Sequence, residues 1–174
     1  MNKSIIVMLL ILGFYLLVGN ISANKITIPE EAIRLRVVPN SNTEYDQSIK
    51  KKVSHLLQSK MYHLLENTRG IDDARNTINN NLKDIDNSIS DLLIEEKYNL
   101  GYKVNFGYNY FPEKEFNDVI YDEGYYESVL VTLGKGEGDN WWCVLFPPLC
   151  LLEASESDKV EYKFFIQEMI EKYL

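Results

Sequence analysis

Between residues 44 and 93 the apolar side chains recur at steps of three and four, and beyond residue 101 they recur at steps of two. A period near 3.6 belongs to a helix with one buried stripe, and a period of two to a half-buried strand. This change of period dictates two helices followed by a sheet. The first stripe is Ile49, Val53, Leu56, Leu57, Met61, Leu64 and Leu65. Thr43 is placed to cap it, with Glu44 and Asp46 in the first turn, where the helix dipole favours acids. Asn67-Thr68-Arg69-Gly70 breaks the pattern. A second stripe follows through Ile71, Ala74, Ile78, Leu82, Ile85, Ile89, Leu92 and Leu93. Two antiparallel helices are expected, packed on a sheet rather than paired as a coiled coil.

The strands come from both sides of this hairpin. Ile33-Arg34-Leu35-Arg36-Val37-Val38 alternates and is stopped by Pro39-Asn40-Ser41-Asn42. Tyr102, Val104 and Phe106 start a second strand that runs to about Phe111 before Pro112. Tyr126 to Leu133 and Trp141 to Phe146 complete the set, separated by a glycine-rich turn over residues 134–140. After a charged spacer over residues 153–159, Tyr162, Phe165, Ile166, Met169, Ile170 and Tyr173 predict a last helix. The expectation is α+β: one domain with a small, mostly antiparallel sheet of about four strands against a helical hairpin and a C-terminal helix. A chain of 174 residues with 25% charged and 45% apolar residues has enough core for this without a metal.

The N-terminus has a separate purpose. Lys3 precedes an apolar run from Ile5 to Val18, followed by Gly19, Asn20, Ser22 and Ala23. As a helix the run spans about 21 Å, short of a hydrocarbon core of roughly 30 Å. It fits the apolar region of a secretory signal. Residues 1–23 are therefore a signal peptide cut after Ala23, or an anchor in which the run extends through Ile21. In both cases residues 24–174 form a single domain outside the cytoplasm, with membrane association through residues 5–18.

A net charge of −8 argues against nucleic acid, whose phosphates demand clustered Lys and Arg. The one basic run, Lys50-Lys51-Lys52, reads as a solvated helix face. His55 and His63 are eight apart on one helix, roughly 80° around its axis. A helical zinc pair is spaced i, i+4, so no metal site is expected. Gly134, Gly136 and Gly138 lead into a strand, not a helix, and so make a turn rather than a phosphate cradle. Cys143 and Cys150 are candidates for a disulfide, with two buried thiols as the alternative. Neighbouring strand residues point to opposite faces, so Trp141 and Trp142 cannot share one core layer. No nucleophile, base and oxyanion donor can be assembled, and no cofactor is implied.

The run Asn140-Trp141-Trp142-Cys143-Val144-Leu145-Phe146-Pro147-Pro148-Leu149-Cys150 resembles the stage II sporulation protein R family of endospore-forming bacteria. Ile33 to Ser41, followed by Asp46-Gln47, Lys50, Lys52 and Val53, resembles that family's strand-turn-helix motif. Phe111-Pro112, and Tyr126 to Gly134 with Gly136, Gly138 and Asn140, resemble two further stretches. The chain departs from the family pattern at Arg36, Pro39, Asn42, Lys135, Glu137 and Asp122-Glu123-Gly124, all on turns or surfaces.

The resemblance implies a non-enzymatic signal made in the forespore and exported into the space between the septal membranes. There such a protein triggers a membrane-embedded aspartic protease of the mother cell, which removes the pro-sequence of the mother-cell sigma factor. Asn40, Ser41, Asp46, Gln47, Trp141, Trp142, Pro147 and Pro148 are the candidate partner-binding residues. Two rival readings are an exported thiol hydrolase using Cys143 and a module that binds septal cell wall through its Tyr and Trp residues.

Overall fold

The computed structural model describes residues 31–116 and 119–147. Strand β1 (Ile33–Val38) leads into helices α1 (Glu44–Leu65) and α2 (Ile71–Glu95). Then come β2 (Tyr102–Phe111), a short pair β3 (Lys114–Phe116) and β4 (Val119–Tyr121), β5 (Gly124–Leu133) and β6 (Trp141–Phe146). The expected C-terminal helix lies outside the described residues.

Local chemistry accounts for the helix ends. Thr43 sits in extended conformation and its hydroxyl accepts from Asp46 N at 3.3 Å, which opens α1. Asp72 and Asp73 occupy the first turn of α2. Beyond its last turn Lys97 adopts φ 56°, so Tyr98 N reaches Leu93 O at 2.8 Å and Lys97 N reaches Ile94 O at 3.0 Å. That is a Schellman closure with lysine where glycine is usual. Lys60 Nζ meets Ser88 Oγ at 2.9 Å and Lys52 Nζ meets Glu96 Oε2 at 2.5 Å, so the two helices run antiparallel.

The main sheet has four strands in the order β2-β5-β1-β6. β2 pairs antiparallel with β5, and β6 antiparallel with β1, but β1 and β5 are parallel. The hairpin α1–α2 carries the chain from the end of β1 to the outer strand β2. The return strand β5 then fills the space between β2 and β1. The β3–β4 ribbon, which interrupts the β2–β5 connection, is an addition to the four expected strands.

Both helices pack on one face of the sheet. Ile33, Leu35, Val37, Val129, Val131, Leu133 and Leu145 meet Val53, Leu57, Ile78, Ile85 and Ile89 there, all buried. The alternate strand residues form the other face and are chemically unlike the first. They include Arg34, Arg36, Asn109, Phe111, Tyr126, Ser128, Trp142 and Val144, of which Arg34, Phe111, Ser128 and Val144 are buried.

Candidate functional site

At the end of the sheet where β1 and β5 finish side by side, the Asn40 turn and the glycine turn lock together. Pro39 O accepts from Gly138 N at 3.0 Å and Asn40 O from Glu137 N at 3.1 Å. The Asn40 side chain accepts from Lys135 N at 3.0 Å, and Asn42 Oδ1 accepts from Asp139 N at 2.6 Å. Glycine is required here. A Cβ on Gly134, at φ 56°, would fall 2.5 Å from Asn40 Oδ1, and one on Gly138 would overlap the Ser41 carbonyl.

Asp46 anchors this clasp from the first turn of α1. It is 4% exposed, and its Oδ2 accepts from Ser41 Oγ at 2.5 Å and from Asn40 Nδ2 at 2.9 Å. Burial pushes its carboxyl pKa up, but the hydrogen bonds from Ser41, Asn40 and Thr43 outweigh that and hold it below the usual aspartate value. Gln47 Nε2 donates to Ser41 O at 3.1 Å and to Asn42 Oδ1 at 3.0 Å. Lys50 Nζ donates to Gln47 Oε1 at 2.5 Å and across to Asp139 O at 2.9 Å. Lys50 is therefore buried, and its pKa is lowered chiefly by that burial. Only Lys51 and Lys52 form the solvated face expected of the whole basic run.

The strand β6 divides its tryptophans as the alternation requires. Trp141 packs against the helix-covered core, whereas Trp142 stands on the other face. The Trp142 ring meets Phe111 edge-on, with centroids 5.0 Å apart. Lys114 Nζ lies 5.1 Å and the Arg36 guanidinium 5.8 Å from its centroid, both within cation–π range. Arg34 stacks 3.3 Å from the centre of the Tyr126 ring. Arg36 Nη1 donates to Tyr110 O at 2.9 Å. The Asn140 amide, oriented by its partners, accepts from Arg36 Nη2 at 2.9 Å and donates to Gly138 O at 3.3 Å. Asn140 thus joins the clasp to the aromatic–cationic face. Burial lowers the pKa of both Arg36 and Lys114.

The sequence-predicted residues fall into two groups. Asn40, Ser41, Asp46 and Gln47 come together, with their polar atoms bonded to one another and to the glycine turn. Trp142 lies beyond them on the face away from the helices, and Trp141 does not join it. Pro147 is buried behind a cis Phe146–Pro147 peptide, and Pro148 and Cys150 lie outside the described residues. Cys143 sits half-buried against the helix-side core, and no described cysteine is a free thiol. His55 and His63 are both exposed, and no group of described His, Cys, Asp or Glu side chains is arranged to hold a metal. Sequence reasoning missed Arg34, Arg36 and Lys114. The first two were legible as the charged alternates of β1, but their stacking partners were not.

These features define a single α+β domain organised around a strand-turn-helix clasp and a double-tryptophan strand. Residues 29–156 match the family model of stage II sporulation protein R, and the chain belongs to that family. Stage II sporulation protein R of Bacillus subtilis (strain 168) is 36% identical over 136 residues, covering 78% of this chain and 61% of the relative. The match thus spans about three-fifths of that relative's own length. No solved structure matches the chain.

Proposed function

We propose that this protein is an exported signal of sporulation that activates a membrane-embedded aspartic protease in the mother-cell membrane, leading to processing of the pro-form of the mother-cell sigma factor. The observation that carries this reading is the family match over residues 29–156. Two features of the chain are in keeping with it. Lys3 and the apolar run Ile5–Val18 have the form of an export signal. Trp142, flanked by Arg36 and Lys114, is a half-buried aromatic on a face that α1 and α2 leave uncovered, the kind of anchor that dominates protein interfaces. In this reading the clasp of Asn40, Ser41, Asp46 and Gln47 holds the edge of that surface rigid, and the protein acts by contact with the receptor in the space between the septal membranes.

The test is reconstitution in a non-sporulating host that expresses this chain, its cognate receptor protease and the sigma-factor precursor. Precursor cleavage that depends on this chain is the expected result; its absence with all three proteins present overturns the reading. Export is checked separately by replacing Leu9, Leu10 and Leu12 with Asp. Each charge costs roughly 3 kcal/mol at the centre of an inserted segment. The triple variant should stay in the cytoplasm and lose activity.

A further inference from the structure

At the end of the sheet opposite the clasp lies a cleft of about 690 Å³. It forms because α2 begins at Ile71, while the sheet continues past it. Tyr108 and Tyr125 belong to the helix-facing side of β2 and β5: Tyr108 stands opposite Glu127, and Tyr110 opposite Tyr125. With no described helix over them, Tyr108 and Tyr125 are 73% and 72% exposed. Strand tyrosines on the core side of a sheet are ordinarily covered, so these two present an uncovered aromatic wall.

The charges around that wall are one-sided. Glu31, Asp72, Glu123 and Glu127 line the cleft, and among the described residues Arg75 is its one cation. Arg75 is already engaged, with Nε 2.6 Å from Glu127 Oε1, Nη2 2.8 Å from Glu127 Oε2, and a further bond to Asp72. The helix N-terminus at Ile71 carries Asp72 and Asp73, so it offers nothing to an anion either. Glu31 and Glu123 remain, with Glu123 also accepting from Tyr110 Oη at 2.9 Å. An open aromatic wall edged by carboxylates binds cations and repels phosphates. A guanidinium suits it better than an ammonium, because it is planar, stacks on rings and is weakly hydrated. The fold already uses this chemistry once, where Arg34 stacks on Tyr126.

We propose that this cleft receives an arginine side chain from a polypeptide partner, stacked on Tyr108 and Tyr125 and held by Glu31 and Glu123. The assignment does not rest on the receptor reading, and its test involves no signalling. The exported protein, carrying 13C-labelled tyrosine, is titrated with acetyl-Gly-Arg-Gly-amide. The ring signals of Tyr108 and Tyr125 should move together along one saturating curve, while those of the distant, 50%-exposed Tyr45 should not. Tyr125→Phe should keep the affinity, since the π face is retained. Tyr125→Leu should weaken it about 2- to 5-fold, and Glu123→Gln should act in the same direction. Acetyl-Gly-Lys-Gly-amide, of equal charge but with an ammonium in place of the guanidinium, should bind more weakly. Equal shifts at Tyr45, unchanged binding by the Leu variant, or preference for the lysine peptide would each overturn the proposal.

Discussion

The two faces of the sheet are made by the same strands, yet they are built on different principles. On the helix side, Ile33, Leu35, Val37, Val129 and Val131 are buried against aliphatic stripes, and area removed from water is the whole interaction. On the other side, Arg34, Arg36 and Lys114 lie against the rings of Tyr126, Phe111 and Trp142, and geometry matters as much as area. The first face can lose a shape and still be apolar. The second combines charge and aromatic surface, which is what a partner can read. The division predicts that substitutions on the helix side act on stability and those on the other side on recognition.

The largest effect should come from a charge placed in the helix-side core. Ile78 and Ile85 are both 0% exposed. Ile78→Asp or Ile85→Asp should remove several kcal/mol, a large part of a typical domain's 5–15 kcal/mol. Thermal denaturation measures this directly; wild-type melting of either variant would mean that the face is misassigned.

The tryptophans test the division within two adjacent residues. Trp141→Ala should cost about 2–3 kcal/mol, below the 3–5 kcal/mol of a fully buried aromatic because the ring is only partly enclosed. Trp142→Ala should cost less stability and lose most receptor activation in the reconstituted system. Equal destabilisation with equal activity would erase the distinction between the faces.

Much of the helix side was legible in sequence because it depends on local period. The Ile49–Leu65 and Ile71–Leu93 stripes, the Thr43 cap and all four main strands follow from residue spacing. The parallel pairing of β1 with β5 does not, since it joins Leu35 to Val129 across both helices, and no local pattern encodes that register. The burial of Lys50 depends on the Asp139 carbonyl, 89 residues away in the chain. The β3–β4 ribbon is too short, and too close to Pro112, to show a period. The residues of the clasp were found through family resemblance, but their mutual bonding is a tertiary fact. The tyrosine cleft was hidden because a strand tyrosine reads as core until the length of the covering helix is known.

Cys143 offers a smaller test on the helix side. A bond to Cys150 would close an eight-residue loop and add roughly 2–3 kcal/mol by chain entropy. Alkylation of the protein produced in an oxidising compartment should label neither cysteine before reduction and both after it, and reduction should lower the melting temperature. Two labels without reductant would show free thiols and dismiss the staple.

The smallest expected effect lies at Asp46, where the clasp joins the two faces, and it depends on pH. Its carboxyl is held below the usual aspartate pKa because hydrogen bonds from Ser41, Asn40 and Thr43 to the charged form outweigh burial. A pKa lower in the folded than in the unfolded chain means that the folded state prefers the ionised group. The resulting stability is fully present above the unfolded value near 3.9 and is lost as pH falls through the folded value. Asp46→Asn keeps the shape but replaces the charged acceptor, so it should cost about 1–2 kcal/mol at pH 7. The informative quantity is the difference in stability between wild type and variant, because other carboxylates titrate equally in both. That difference should be constant from pH 7 to about 5 and shrink below pH 4 as wild-type Asp46 takes up its proton. A difference that stayed constant down to pH 2 would show that the Asn side chain fails to fit, and that the charge on Asp46 does not hold the clasp.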